Sequence, residues 1–204
     1  MLILPLAVLV GVVAGWAMGG SWSALLDVRL KHRRLVVGAV ATQLALELPG
    51  VRSWPSGLRF AIILATYLVV GWWLFENTRS ASGGTRLGFG VVGGGWALNL
   101  LAIVLNGGMP VSESALDSAG IAPSTSVIHG HLAKHVPINH GTVLRVLGDV
   151  IPLSWFRSVV SPGDIVMAIG IGVLAAAAMK TLTPGDSPVA APSPLPAAES
   201  RGSD

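Results

Sequence analysis

Apolar residues along this chain fall in long blocks rather than in strict alternation. Five blocks stand out, at 2–18, 35–48, 58–75, 87–106 and 162–179. A helix needs about 20 residues to cross roughly 30 Å of hydrocarbon. The first, third and fourth blocks have that length, and the last reaches it when its first turn from Pro162 is counted. The second block is short. It spans only if Arg33 and Arg34 extend toward headgroups and the bilayer thins around it. The pattern predicts an all-α fold: a polytopic transmembrane helix bundle of about five helices in residues 1–180, with one long external loop at 107–161.

Composition sharpens this picture. Of 204 residues, 52% are hydrophobic and only 11% are charged, and the mean hydropathy is +0.70. Soluble domains carry about 25% charged residues, so these values favour the membrane reading. A net charge of +3 does not point to nucleic acid, because the basic residues flank apolar blocks instead of forming a patch. There is no cysteine, which excludes disulfides, thiolate ligands and a cysteine nucleophile. No Lys or Arg precedes Arg29, so the first block lacks the basic start of a signal peptide and reads as an uncleaved helix. With five spans and the N-terminus outside, eight basic residues fall inside and five outside. That bias favours an external N-terminus and a cytoplasmic C-terminus. Trp54 and Trp155 then sit at the outer headgroup level, with Trp16, Trp22, Trp72 and Trp73 at the inner one, while mid-helix Trp96 belongs inside the bundle. Residues 183–204 hold five prolines among alanine and serine, and read as a disordered cytoplasmic tail.

Small residues suggest how the helices meet. Gly11, Gly15 and Gly19 are spaced by four, as are Gly90 and Gly94. Such faces let backbones approach closely. The first and fourth helices are therefore expected to pack on each other or on copies of themselves, which makes a homo-oligomer or a membrane-protein partner a natural expectation alongside the lipid bilayer. Asn99 and Asn106 are seven apart on one face, and Gln43 and Glu47 are four apart on another. Amides in hydrocarbon turn toward the bundle, either as interhelical hydrogen bonds or as the lining of a path.

The stretch "LLAIVLNGGMPVSES" ends the fourth block abruptly. Asn106, Gly107 and Gly108 act as a helix stop, and Pro110 delays any resumption. Ser112 predicts the cap of a short helix ending at Gly120. Four histidines follow, at 129, 131, 135 and 140. They invite a zinc reading, but Pro137 breaks the segment and no carboxylate lies close by in sequence, so neither a metal site nor a cofactor is expected. Asp164 follows Ser161-Pro162-Gly163, a helix-start signature with an acid at the third position. Asp149 has no such explanation. His135, Asp149 and Asp164 are the candidate catalytic residues, yet no nucleophile pattern, phosphate loop or metal signature accompanies them.

"NGGMPVS", "KHV" with "LGDVIPL", and "VVSPGDI" resemble a family of small bacterial membrane proteins classed as a domain of unknown function, found in actinobacteria and firmicutes. The resemblance covers roughly residues 1–180. Asn106, Gly107, Gly108, Pro110, His135, Gly148, Asp149, Pro152, Gly163 and Asp164 match its recurring motifs, whereas His129, His131 and His140 do not. It implies a multi-pass plasma-membrane protein of about five helices and carries no reaction, cofactor or catalytic residue.

The expected function is a non-enzymatic membrane protein whose external loop folds over the bundle as a partner- or lipid-binding surface, with Asn99, Asn106, Gly107, Gly108 and Pro110 as binding candidates. Two alternatives stand behind it. One is a small transporter with Asn99, Asn106 and Gln43 lining a path. The other is a membrane-embedded enzyme using His135 and Asp149, which requires those two side chains to share one pocket.

Overall fold

The computed structural model describes residues 3–26, 30–46, 48–121 and 135–180. Their order is α1 (Ile3–Ala17), α2 (Trp22–Leu26), α3 (Arg33–Ala45), α4 (Pro49–Arg52), α5 (Ser56–Ser80), α6 (Gly83–Asn106), β1 (Met109–Val111), α7 (Glu113–Ser118), β2 (His135–Pro137), β3 (Ile151–Leu153), β4 (Ser158–Val160) and α8 (Pro162–Ala178). Single 3-10 turns lie at Arg145–Leu147 and Ser154–Phe156. The protein is mostly helical, and the described part of 107–161 holds four short strands besides α7, the short helix expected after Ser112.

Among the described residues, two helices, α5 and α6, are long and apolar enough to cross a membrane. The bundle of about five full spans is therefore not what the structure presents. α1 and α8 are apolar but have only 15 and 17 residues. The block 35–48 breaks: α3 ends at Ala45, Leu48 is extended at φ −66° and ψ 139°, and Pro49 starts a separate turn. A residue before proline is pushed out of the helical region, so Pro49 sets this boundary. α5 instead runs past its apolar block to Ser80. There the Thr78 and Ser80 hydroxyls donate to the carbonyls of Leu74 and Glu76 at 2.7 and 2.8 Å.

α5 and α6 form a tight antiparallel hairpin, with Gly83 taking the left-handed conformation at φ 51°. α8 packs along α6, and α1 packs along the other side of α8. The Gly11–Gly15 face thus meets α8 rather than α6, and α6 meets α8 through Gly88 and Gly95 rather than through Gly90 and Gly94. A side chain at Gly11 would strike the backbone of Gly172, and one at Gly15 would press on Ala176. Gly88 faces Leu174 and Gly95 faces Gly163 and Met167. Gly163 lies beside Asn99 while Ala177 lies beside Gly84, so α8 covers α6 only from Asn99 downward. The seven residues from Asn99 to Asn106 continue for about 10 Å past the start of α8. Met109 of β1 and Leu147 pack against Ala102 and Ile103 in that stretch.

α3 rests chiefly on α5, with Val36 packed against the cluster of Trp73, Leu74 and Phe89. The turn before it is held by the buried Asn77, whose Oδ1 accepts the Lys31 N–H at 3.0 Å, and by Trp73, whose Nε1 donates to the Lys31 carbonyl at 2.6 Å. Trp73 is therefore buried, edge-on to Phe89 at 5.7 Å. Trp96 lies inside as expected, its ring over Gly71 and stacked on Tyr67 at 6.4 Å.

Candidate functional site

The helix stop after α6 sets up the site. Gly107 takes φ 70° and ψ 14°, and the N–H groups of Gly107 and Gly108 both close on the Ile103 carbonyl. Asn106 does more than end the helix. Its amide donates to the carbonyls of Ala102 at 2.8 Å and Val143 at 3.0 Å, and its Oδ1 accepts the Val143 N–H at 2.8 Å. It thus pins a distant piece of the segment over the helix end.

β1 follows at once and is the strand around which the rest assembles. On one side it pairs in parallel with β2, matching Met109 to His135 and Val111 to Pro137. On the other side the Asp149 N–H donates to the Pro110 carbonyl at 2.7 Å, and the Ser112 N–H donates to the Asp149 carbonyl at 3.0 Å. Pro110 is fully buried and has no N–H to offer, so its carbonyl carries that link. A Cβ on Gly148 would run into this carbonyl, which explains a glycine there. Flanking one strand from both sides brings His135 and Asp149 together. His135 Nε2 lies 3.3 Å from Asp149 Oδ2, with the side chains 25% and 11% exposed. His135 Nδ1 is shielded and has no partner among the described residues.

The β3–β4 hairpin, in register Ile151–Val160 to Leu153–Ser158, leads into α8. The expected helix start is present as a full capping box. Ser161 Oγ accepts the Asp164 N–H at 3.0 Å, and Asp164 Oδ2 accepts the Ser161 N–H at 3.1 Å. The box is tied to α6, since Asn99 Nδ2 donates to Asp164 Oδ1 at 2.8 Å and Ser161 Oγ donates to Asn99 Oδ1 at 2.9 Å. Asn99 and Ser161 are both buried.

These groups meet at a cavity of about 260 Å³. His135, Asp149 and Asp164 supply its polar lining together with Ser158. Val159 and Val160 of β4 and Ile3 and Leu4 from the first turn of α1 supply the apolar part. Tyr67 of α5 lies within electrostatic range of both carboxylates. A cavity lined by two acids and one imidazole together with aliphatic side chains is chemically mixed: it can hold a cationic or donor-rich group beside an apolar one.

The structure thus brings His135, Asp149 and Asp164 into one cavity and joins Asn99 to Asp164. Asn106, Gly107, Gly108 and Pro110 shape the segment without lining the cavity. Among the described residues, no hydrogen bond links Gln43 to Asn99 or Asn106. His140 lies exposed in a turn, while His129, His131 and Glu47 fall outside the described residues. Among the described residues, no group of three histidine or carboxylate side chains is placed to hold a metal ion. Ile3, Leu4 and Ser158 carried no signal in sequence, because each reaches the cavity only through the packing of α1 and β4.

The family model for a family of unknown function, DUF5317, matches residues 27–176. The chain belongs to the DUF5317 family. The matched region holds α3 through nearly all of α8, and hence every polar residue of the cavity. The two residues of α1 at the cavity, Ile3 and Leu4, lie outside it. Comparison with curated proteins and with solved structures finds no match.

Proposed function

We propose that this DUF5317 protein is a multi-pass plasma-membrane protein, with its N-terminus outside and its C-terminus in the cytoplasm. Its 107–161 segment folds over and into the outer end of the bundle as a recognition site for a lipid or a membrane partner, without catalysing a reaction. The membrane placement rests on exposure. Only 22% and 33% of the most apolar windows of α5 and α6 are buried inside the protein, whereas the core helix of a soluble protein would be mostly buried. Val37, Leu44, Leu68, Leu87 and Leu101 add large exposed apolar side chains on α3, α5 and α6, more than a water-facing surface normally shows.

One observation carries the recognition reading. The cavity is walled jointly by the segment and by the first turn of an apolar helix, and one of its acids, Asp164, is bonded to Asn99, seven residues before the end of α6. Irregular backbone at membrane depth is tolerated where it is buried in protein or lines a cavity. The test is to purify the protein gently from its own membranes and identify what stays bound by mass spectrometry. A reproducible lipid or protein should be retained, and lost when Asp149 is changed to Asn or when 106–110 is replaced by Ala and Ser. An unchanged bound set in both variants would remove the reading.

The 3.3 Å approach of His135 to Asp149 favours a second reading, in which the pair moves a proton during a reaction at the outer surface. The two readings part in a His135→Gln variant. Chemistry predicts that some lipid or envelope component accumulates in cells while the purified protein still retains its ligand. Pure recognition predicts no accumulation.

A further inference from the structure

The opposite end of the bundle carries a second cavity, about 510 Å³, cut into the outer face of the α5–α6 hairpin. Thr78 of α5 lines one side, and Gly83, Arg86, Leu87, Gly90 and Val91 of α6 line the rest. Positions 83, 87, 90 and 94 fall on one helix face. Among the described residues nothing lies within 4 Å of a Cβ built at Gly90, Gly93 or Gly94, unlike Gly88 and Gly95, which α8 requires. After proline, glycine is the poorest helix former. Three mid-helix glycines without a neighbour among the described residues therefore leave room for a further occupant. Leu87 beside them is 61% exposed. Arg86 is also exposed, and among the described residues no hydrogen bond or ion pair holds its guanidinium. Arg79 nearby is engaged instead, 5.2 Å over the Phe75 ring.

We propose that this groove seats an anionic phospholipid of the adjacent leaflet, with its phosphate on Arg86 and an acyl chain along the Gly90–Gly94 face. The charge argues for this occupant. The Thr78 hydroxyl already donates to Leu74, so Arg86 is the side chain in the groove with donors to offer, and a guanidinium fork fits a phosphate. The other natural occupant of a Gly-x-x-x-Gly face is a second copy of the chain. A twofold contact through Gly90 and Gly94 would bring Arg86 against its own counterpart about one turn from the crossing, and like charges there oppose it. The groove is open, apolar along its length and positive at its headgroup end, which is the shape and charge of a lipid site.

This inference rests on the membrane placement of α5 and α6 proposed above, and the experiment separates the two. The full chain is reconstituted in phosphatidylcholine bilayers, with flotation confirming insertion. The relative association of spin-labelled phosphatidylglycerol and spin-labelled phosphatidylcholine is then measured. A preference for phosphatidylglycerol of about fivefold is expected for one well-placed cation near the surface. It should vanish in Arg86→Ala, persist in Arg86→Lys, and weaken in Gly90→Leu, which fills the groove without touching charge. Equal preference in wild type and Arg86→Ala overturns the lipid site while leaving the membrane placement intact. Failure to float overturns both. The absence of native cysteine allows a Gly94→Cys variant, and efficient cross-linking between copies through that position would give the face to a second chain and overturn the proposal.

Discussion

At the residue scale, two asparagines that look alike in sequence do different work. Asn99 joins α6 to the first turn of α8 through both ends of its amide. Asn99→Ala strips an acceptor from Ser161 and a donor from Asp164 inside the bundle. We expect a loss of about 2–3 kcal/mol, because hydrogen bonds to charged groups and unmet buried partners sit at the upper end of such effects. Unfolding midpoints in mild detergent would measure it, and a change under 0.5 kcal/mol would refute the role. Asn106 holds Val143 instead. Asn106→Ala should raise amide hydrogen exchange across 139–147 while leaving the α6 interior protected. Uniform change, or none, would count against that pin. The helix stop at Asn106-Gly107 and the capping box at Ser161 were legible in sequence, since both follow from local rules about positive φ and side-chain caps. The tie between them and α6 was not, because Ser161 and Asn99 are 62 positions apart.

At the element scale, the glycines sort into two kinds that spacing alone cannot separate. Gly88 and Gly95 touch α8, whereas Gly90 and Gly94 touch nothing among the described residues. Gly88→Ala should therefore destabilise, by about 1–3 kcal/mol of overpacking. Gly90→Ala should be neutral or stabilising by up to about 1 kcal/mol through helix propensity. Parallel melts of the two variants decide this, and an equal loss in both would mean that Gly90 faces a neighbour too. Sequence spacing identified sticky faces but not their partner, because α8 carries its own small residues at Gly163, Gly170, Gly172 and Ala176. Its receptive groove is seen only once the chain has folded back. The parallel pairing of β1 with β2 was equally hidden: three-residue strands have no readable period, and the pairing joins Met109 to His135 across 26 positions.

At the scale of the whole molecule, the unequal lengths of the helices matter most. α5 and α6 have 25 and 24 residues, while α1 and α8 have 15 and 17. Apolar blocks predicted spans of similar reach. The difference arises because α8 starts at the level of Asn99, where the incoming β3–β4 hairpin occupies the space a longer helix would take. The proposed threading has a direct check. Single cysteines at positions 80, 126 and 187, in a chain with none of its own, should react with an impermeant reagent in intact cells only at 126. Labelling of 80 or 187 before lysis would reverse the orientation.

The first turn of α1 has a role beyond walling the cavity. Helix ends fray at far lower cost than helix middles, and Ile3 and Leu4 stand at such an end. If a lipid occupies the cavity, as proposed, its exchange with the surrounding leaflet would run sideways, through the breathing of that one turn. The strand-built roof over it, bolted down by Asn106 and Pro110, can stay shut throughout.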